Sequence, residues 1–155
     1  MSLIWLVLIS IIIVIIIYEM THRLLVKRAT LIVQKRAQNI TDEIVFTVLK
    51  DQLKIKNCGQ QSRLVSDIWG KGVLSFEYDI GTTNNEEGVA ISRDQLERQL
   101  NKLALNRKIE FFQSAQQPFK ITDWWQGKKK FHMDVTYLMN EASYEYVHDL
   151  HKLEE

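Results

Sequence analysis

The sequence predicts an α+β protein: a single N-terminal transmembrane helix extended into an amphipathic neck, then a small domain with an antiparallel sheet and helices packed on one face. Three observations carry this. Residues 3–18 hold no charge, and Ser10 is their only polar interruption. Residues 73–80 and 130–137 alternate apolar and polar side chains, the period of a strand with one buried and one wet face. Residues 93–105 and 139–153 repeat apolar positions at spacings of three and four, the period of a helix packed along one stripe. The division expected is an anchor over 1–18, a basic neck over 19–38 and the domain over 39–155.

At a rise of about 1.5 Å per residue, the apolar run covers roughly 24 Å, near the roughly 30 Å hydrocarbon core of a bilayer. Trp5 and Tyr18 stand near its ends, where amphipathic aromatics settle at headgroup level. A cleaved signal peptide would carry a basic residue before the run and a small-x-small site after it. Residues 1 and 2 are Met and Ser, and residues 19–23 are Glu-Met-Thr-His-Arg, so the expectation is an uncleaved anchor.

Charge sets the expected orientation. The neck contains Arg23, Lys27, Arg28, Lys35 and Arg36 against the single acid Glu19. Bases beside a membrane segment favour the cytoplasmic side, so the N-terminus is expected outside and the domain in the cytoplasm. The same five residues form a candidate membrane-surface site, each contributing about 1 kcal/mol when close to anionic headgroups. The bilayer is thus the first expected partner. Leu24, Leu25, Ala29, Ile32 and Val33 recur between these bases, an apolar side that lies on lipid, packs on the domain or pairs with a second copy.

The chain's 20 basic and 19 acidic residues all follow residue 18, and the neck leaves the domain with 15 bases against 18 acids. That balance argues against a nucleic-acid partner, because nonspecific affinity comes chiefly from phosphate neutralisation. One cysteine, Cys58, excludes an intrachain disulfide and a cysteine-built zinc site. In its polar surroundings it reads as an exposed thiol without a role.

Residues 39–56 read as a helix capped by Asn39 or Thr41, although the β-branched run 44–48 fits a strand as well. Residues 63–69 suggest a short helical turn, and 73–80 a strand. Ser92 with Gln95 three residues on forms a capping-box pattern, opening a helix that ends near Asn106. Strands are expected over 108–113, 119–125 and 130–137, with a hairpin at 126–129, and a closing helix over 139–153.

No phosphate loop, nucleophile elbow or His-Glu-x-x-His pattern occurs, so no catalytic residue, metal ligand or cofactor is assigned. Glu145, His148 and His151 recur at every third position, but a helix surface of solvated residues explains them. His132 and Asp134 share the polar face of one strand. The candidate partner-binding site is Trp124, Trp125, Lys128, Lys129 and Lys130: one tryptophan of the pair must face outward, beside three lysines in an acidic domain.

An apolar N-terminal helix leading into a sheet domain looks like type IV pilin-related proteins. Their short basic leader ending in glycine and the glutamate early in the helix are missing, since the first acid is Glu19. The helix at 93–105 with its following strands looks slightly like the end of a winged-helix domain, but the strand at 73–80 leaves no room for the preceding helix. The expectation is therefore a single-pass protein whose cytosolic domain is a non-enzymatic binding or adaptor module for a protein partner. The alternatives are an exported, membrane-tethered domain of a cell-surface assembly and a membrane-bound enzyme.

Overall fold

The structure is a computed structural model describing residues 3–53, 61–65, 72–81, 92–126 and 130–154. By internal packing the chain divides into two units, Met1–Lys35 and Arg36–Glu155. The elements are α1 (Leu3–Leu53), β1 (Arg63–Leu64), β2 (Ser75–Gly81), α2 (Arg93–Asn106), β3 (Phe119–Gln126), β4 (Lys130–Tyr137) and α3 (Glu141–Glu154).

The first unit is helix, and its apolar side chains are exposed all round, from Ile4 to Val33. The helix contains an 18-residue window of mean hydropathy 2.6 with no buried share. A surface of that kind is unstable in water. The helix is long and apolar enough to cross a membrane, near the N-terminus, and it fits a membrane anchor.

In the second unit, the residues over 40–53 are helical rather than extended. Ala37, Thr41, Ile44, Val45, Val48 and Leu49 are all buried. They recur at three, four, seven and eight residues, so burial of one wide stripe overrides the strand preference of Ile44, Val45 and Val48. Tyr78 on β2 donates its hydroxyl to Asp42 Oδ1 at 2.7 Å, and Phe46 meets the Tyr78 ring edge-on. Burial, with the Asp42 charge, pushes the Tyr78 hydroxyl pKa well above its ordinary value, so Tyr78 remains a donor.

The sheet is antiparallel, in the order β1-β2-β4-β3. One face supplies Phe76, Tyr78, Ile121, Met133 and Val135 to the core, which α1 and α2 complete with Val45, Leu49, Leu96 and Leu100. The other face carries a polar chain in which Thr136 donates to Ser75 at 3.0 Å and lies 3.2 Å from Thr122. Helix α3 approaches this second face. It is capped by Asn140, which accepts from Ser143 N, and its Ser143 hydroxyl accepts from Leu74 N.

Helix α2 begins as the capping pattern predicts, with Ser92 accepting from Gln95 N at 3.2 Å. Its other end corrects one expectation: residues 108–113 do not form a strand. Lys108 N donates to Leu105 O and Ile109 N to Ala104 O, both at 3.0 Å, which closes the helix in a Schellman turn. The turn spends Ile109 on capping, and Phe112 N makes a single bond to Leu138 O instead of a ladder. The turn also holds Lys108 at φ 55°, a left-handed conformation that costs a side chain with a Cβ roughly 1 kcal/mol. Lys108→Gly is therefore expected to stabilise the protein by about 1 kcal/mol, read as a higher urea midpoint at unchanged slope. An unchanged or lower midpoint would show that the lysine stem compensates.

A second correction falls at residues 63–64, which pair with Glu77 and Phe76 as the short strand β1 instead of opening a helical turn. The rest of that predicted turn, from 66 onward, lies outside the described residues, as does Cys58.

Candidate functional site

The polar face of the sheet gathers one histidine and four carboxylates, and the strand register explains how. Glu77 on β2 opposes Asp134 on β4, which opposes Asp123 on β3, and Arg63 on β1 opposes Glu77 from the far side. In the next row, Asp79 opposes His132, which opposes Trp125. Side chains of one row and its diagonal neighbours lie within reach of one another.

A β-bulge completes the arrangement. The register shifts between Ile121 and Asp123, so Thr122 is the extra residue of β3. Counting by twos from the buried Phe119 and Ile121 would aim Asp123 and Trp125 into the core. The extra residue reverses this. Asp123 and Trp125 face outward, and Trp124 packs against the core opposite Met133.

His132 sits at the centre. Its Nδ1 lies 2.8 Å from Asp79 Oδ1 and 3.8 Å from Glu77 Oε1, and its Nε2 lies 3.5 Å from Asp134 Oδ1 and 3.7 Å from Asp123 Oδ2. Arg63 bonds Asp79 at 3.0 Å and Glu77 at 3.4 Å. Among the described residues the four acids thus meet two bases, and one of these is an imidazole. Partial burial by itself would depress the His132 pKa, but the Asp79 hydrogen bond and the charges of Asp134, Asp79 and Glu77 prevail and raise it. The His132 hydrogen bond is also the main cause that lowers the Asp79 pKa.

Asp134 is the strained member. Its Oδ1 is buried and has no hydrogen-bond partner among the described residues. Desolvation raises its pKa to about 6 against the attraction of His132, and Asp123, Glu77 and Asp79 add to the rise. Tyr146 of α3 feels the same charges, and its pKa is raised by burial and by Asp134.

Two groups of three ligands could hold a divalent ion here, Glu77 with Asp79 and His132, and Asp123 with His132 and Asp134, each with donor atoms within 4.8 Å. Ion pairing around a protonated imidazole accounts for the same geometry without an ion. Sequence reading singled out His132 and Asp134 but missed Glu77, Asp79 and Asp123. Their signal was the alternation on β2 that puts Glu77 and Asp79 on the wet face. The pairing of β2 with β4 was not readable.

The predicted partner site is divided. Trp125 is 56 % exposed, whereas Trp124 is partly buried and packs against the core. Lys128 and Lys129 lie outside the described residues, and Lys130 opens β4. Along the neck, Arg23 pairs with Glu19 at 3.4 Å on an exposed helix surface. The structure separates the histidines of α3 from His132: His148 and His151 line a cavity, described below, that does not include Glu145 or His132.

Comparison with protein-family models, with curated proteins and with solved structures yields no match to this chain.

Proposed function

We propose that this protein is a single-pass, membrane-anchored binding module whose domain lies in the cytoplasm and engages a protein partner through the polar sheet face around Trp125. The observation that carries the binding surface is the exposure of Trp125, a large aromatic turned outward by the bulge among carboxylates. Tryptophans of this kind dominate interface energetics when a partner covers them. Asp79 and Asp123, with side chains 46 % and 63 % exposed, supply acceptors for basic side chains of the partner. Lysines 128–130 follow Trp125 closely in sequence, and the basic neck favours the cytoplasmic placement.

Pull-down from detergent-solubilised membranes tests the surface. Trp125→Ala is expected to lower capture of the partner at least about tenfold, as loss of an interface anchor does. Retention of the same partner by Trp125→Ala and by the triple Lys128, Lys129, Lys130→Glu variant sinks this surface. A C-terminal tag protected from protease in intact cells supports the cytoplasmic placement, and its digestion supports an exported, tethered domain.

A further inference from the structure

A cavity of about 520 Å³ lies among α2, residues 115–122, Leu138 and α3, away from Trp125 and His132. Its volume falls within the range of small-molecule sites. The lining mixes apolar side chains, Leu138, Val147 and Leu150, with donors, Arg93, Lys120, Gln117, His148 and His151.

Among the described lining residues the one carboxylate is Glu97, and it is already engaged. Its Oε1 accepts from Gln117 Nε2 and Lys120 Nζ, each at 2.9 Å, and its Oε2 accepts from Ile121 N at 3.0 Å. Glu97 and Lys120 therefore cancel in charge. Arg93 remains: its Nη2 donates to Ile121 O at 2.7 Å, and it has no carboxylate partner among the described residues. A guanidinium with donors to spare is suited to the planar, two-oxygen edge of a carboxylate or phosphate. Tyr144 adds an aromatic tier at the wall, stacked on His148 with ring centroids 6.2 Å apart.

We propose that this cavity binds a small organic anion, with its carboxylate or phosphate on Arg93 and its apolar body against Leu138, Val147 and Leu150. A cation would meet the unneutralised charge of Arg93, and a neutral ligand would leave the guanidinium unused. Hydrocarbon and charge in one lining select an amphiphilic anion over an inorganic one.

The test uses the full chain in zwitterionic nanodiscs, with empty discs as the blank, titrated calorimetrically with benzoate and with phenyl phosphate. Benzyl alcohol, benzylamine and inorganic phosphate are the comparison probes. At least one aromatic anion is expected to saturate at one per chain, about tenfold or more tighter than every comparison probe. Whether benzoate or phenyl phosphate binds more tightly identifies the head group. Arg93→Gln is expected to weaken that binding about tenfold, and Leu150→Trp, which narrows the cavity where the apolar body sits, to weaken it as well. Because Arg93 also holds the Ile121 carbonyl, Lys120→Gln serves as a second charge variant, and circular dichroism verifies that each variant is folded. Trp125→Ala is expected to leave this binding unchanged, which separates the cavity from the partner surface. The proposal is overturned if neither anion saturates, if benzyl alcohol or inorganic phosphate binds as tightly, or if folded Leu150→Trp retains full affinity.

Discussion

Replacing Asn101 of α2 with leucine is expected to destabilise the protein by about 2–4 kcal/mol. Asn101 is 6 % exposed and completes the outer edge of β3. Its Nδ2 donates to Phe119 O at 2.9 Å, and its Oδ1 accepts from Phe119 N at 2.8 Å. Glu97, one turn earlier on α2, accepts from Ile121 N, and Arg93, another turn earlier, donates to Ile121 O. Three side chains spaced by four along a helix thus replace the ladder that a neighbouring strand would provide, and they shield a sheet edge that would otherwise template association. Leucine fills the same volume but leaves the buried amide and carbonyl of Phe119 without partners, at about 1–3 kcal/mol each when unmet. Urea unfolding of the full chain in detergent, with unchanged slope, measures the loss. Hydrogen exchange at the Phe119 amide should accelerate in step. A loss below about 1 kcal/mol would mean that water or a shifted helix satisfies the strand edge, against the buried geometry seen here.

The second large effect depends on pH. Asp134→Asn is expected to stabilise the protein by about 1–3 kcal/mol at pH 8, in chelator-treated buffer, with the gain disappearing toward pH 4. The sign follows from the direction of the shift. The Asp134 pKa rises from the ordinary 3.8 to about 6 in the fold, so between those values the native state holds a proton that the unfolded chain has released. Stability therefore increases as pH falls through about 6, and above that the full cost of a buried carboxylate beside Asp123, Glu77 and Asp79 persists. Asparagine removes the charge and keeps the shape. His132 acts in the same direction: its raised pKa means a contribution fully present below its unfolded value and lost as pH rises through the folded one. Asp79, with its lowered pKa, contributes above its unfolded value and loses that contribution only in stronger acid, as pH falls through its folded value. The wild-type profile should thus decline from about pH 4 upward, and Asp134→Asn should remove the part of that decline below about pH 6, leaving the later part to His132. A variant less stable than wild type at pH 8 would show that Asp134 is a net stabilising partner of His132.

Much of this fold is legible in the sequence because it rests on local periodicity. The strands at 119–126 and 130–137, the Ser92 cap and the two amphipathic helices of the domain each advertise themselves within a dozen residues. The failure at 108–113 and the choice left between helix and strand at 44–48 share a cause. Residues 108–113 alternate like a strand, yet the Schellman turn takes Ile109, and the backbone beyond it meets Leu138 at one point only. Residues 44–48 have strand chemistry, yet burial of the stripe from Ala37 to Leu49 makes them helical. In both places a neighbour distant in sequence outweighs a local preference.

By itself, the sequence determined that a helix near the N-terminus is long and apolar enough for a bilayer, because uninterrupted hydrophobicity needs no tertiary partner to be recognised. It also determined that the domain is α+β, through the two periods of its apolar residues. Tertiary structure alone decided which tryptophan faces outward and which acids surround His132. One extra residue, Thr122, inverts the alternation of β3, and no glycine or proline at that position announces it. The bulge holds because it removes Asp123 from the core side and packs Trp124 against the core in its place, a balance that exists only once β4 lies alongside.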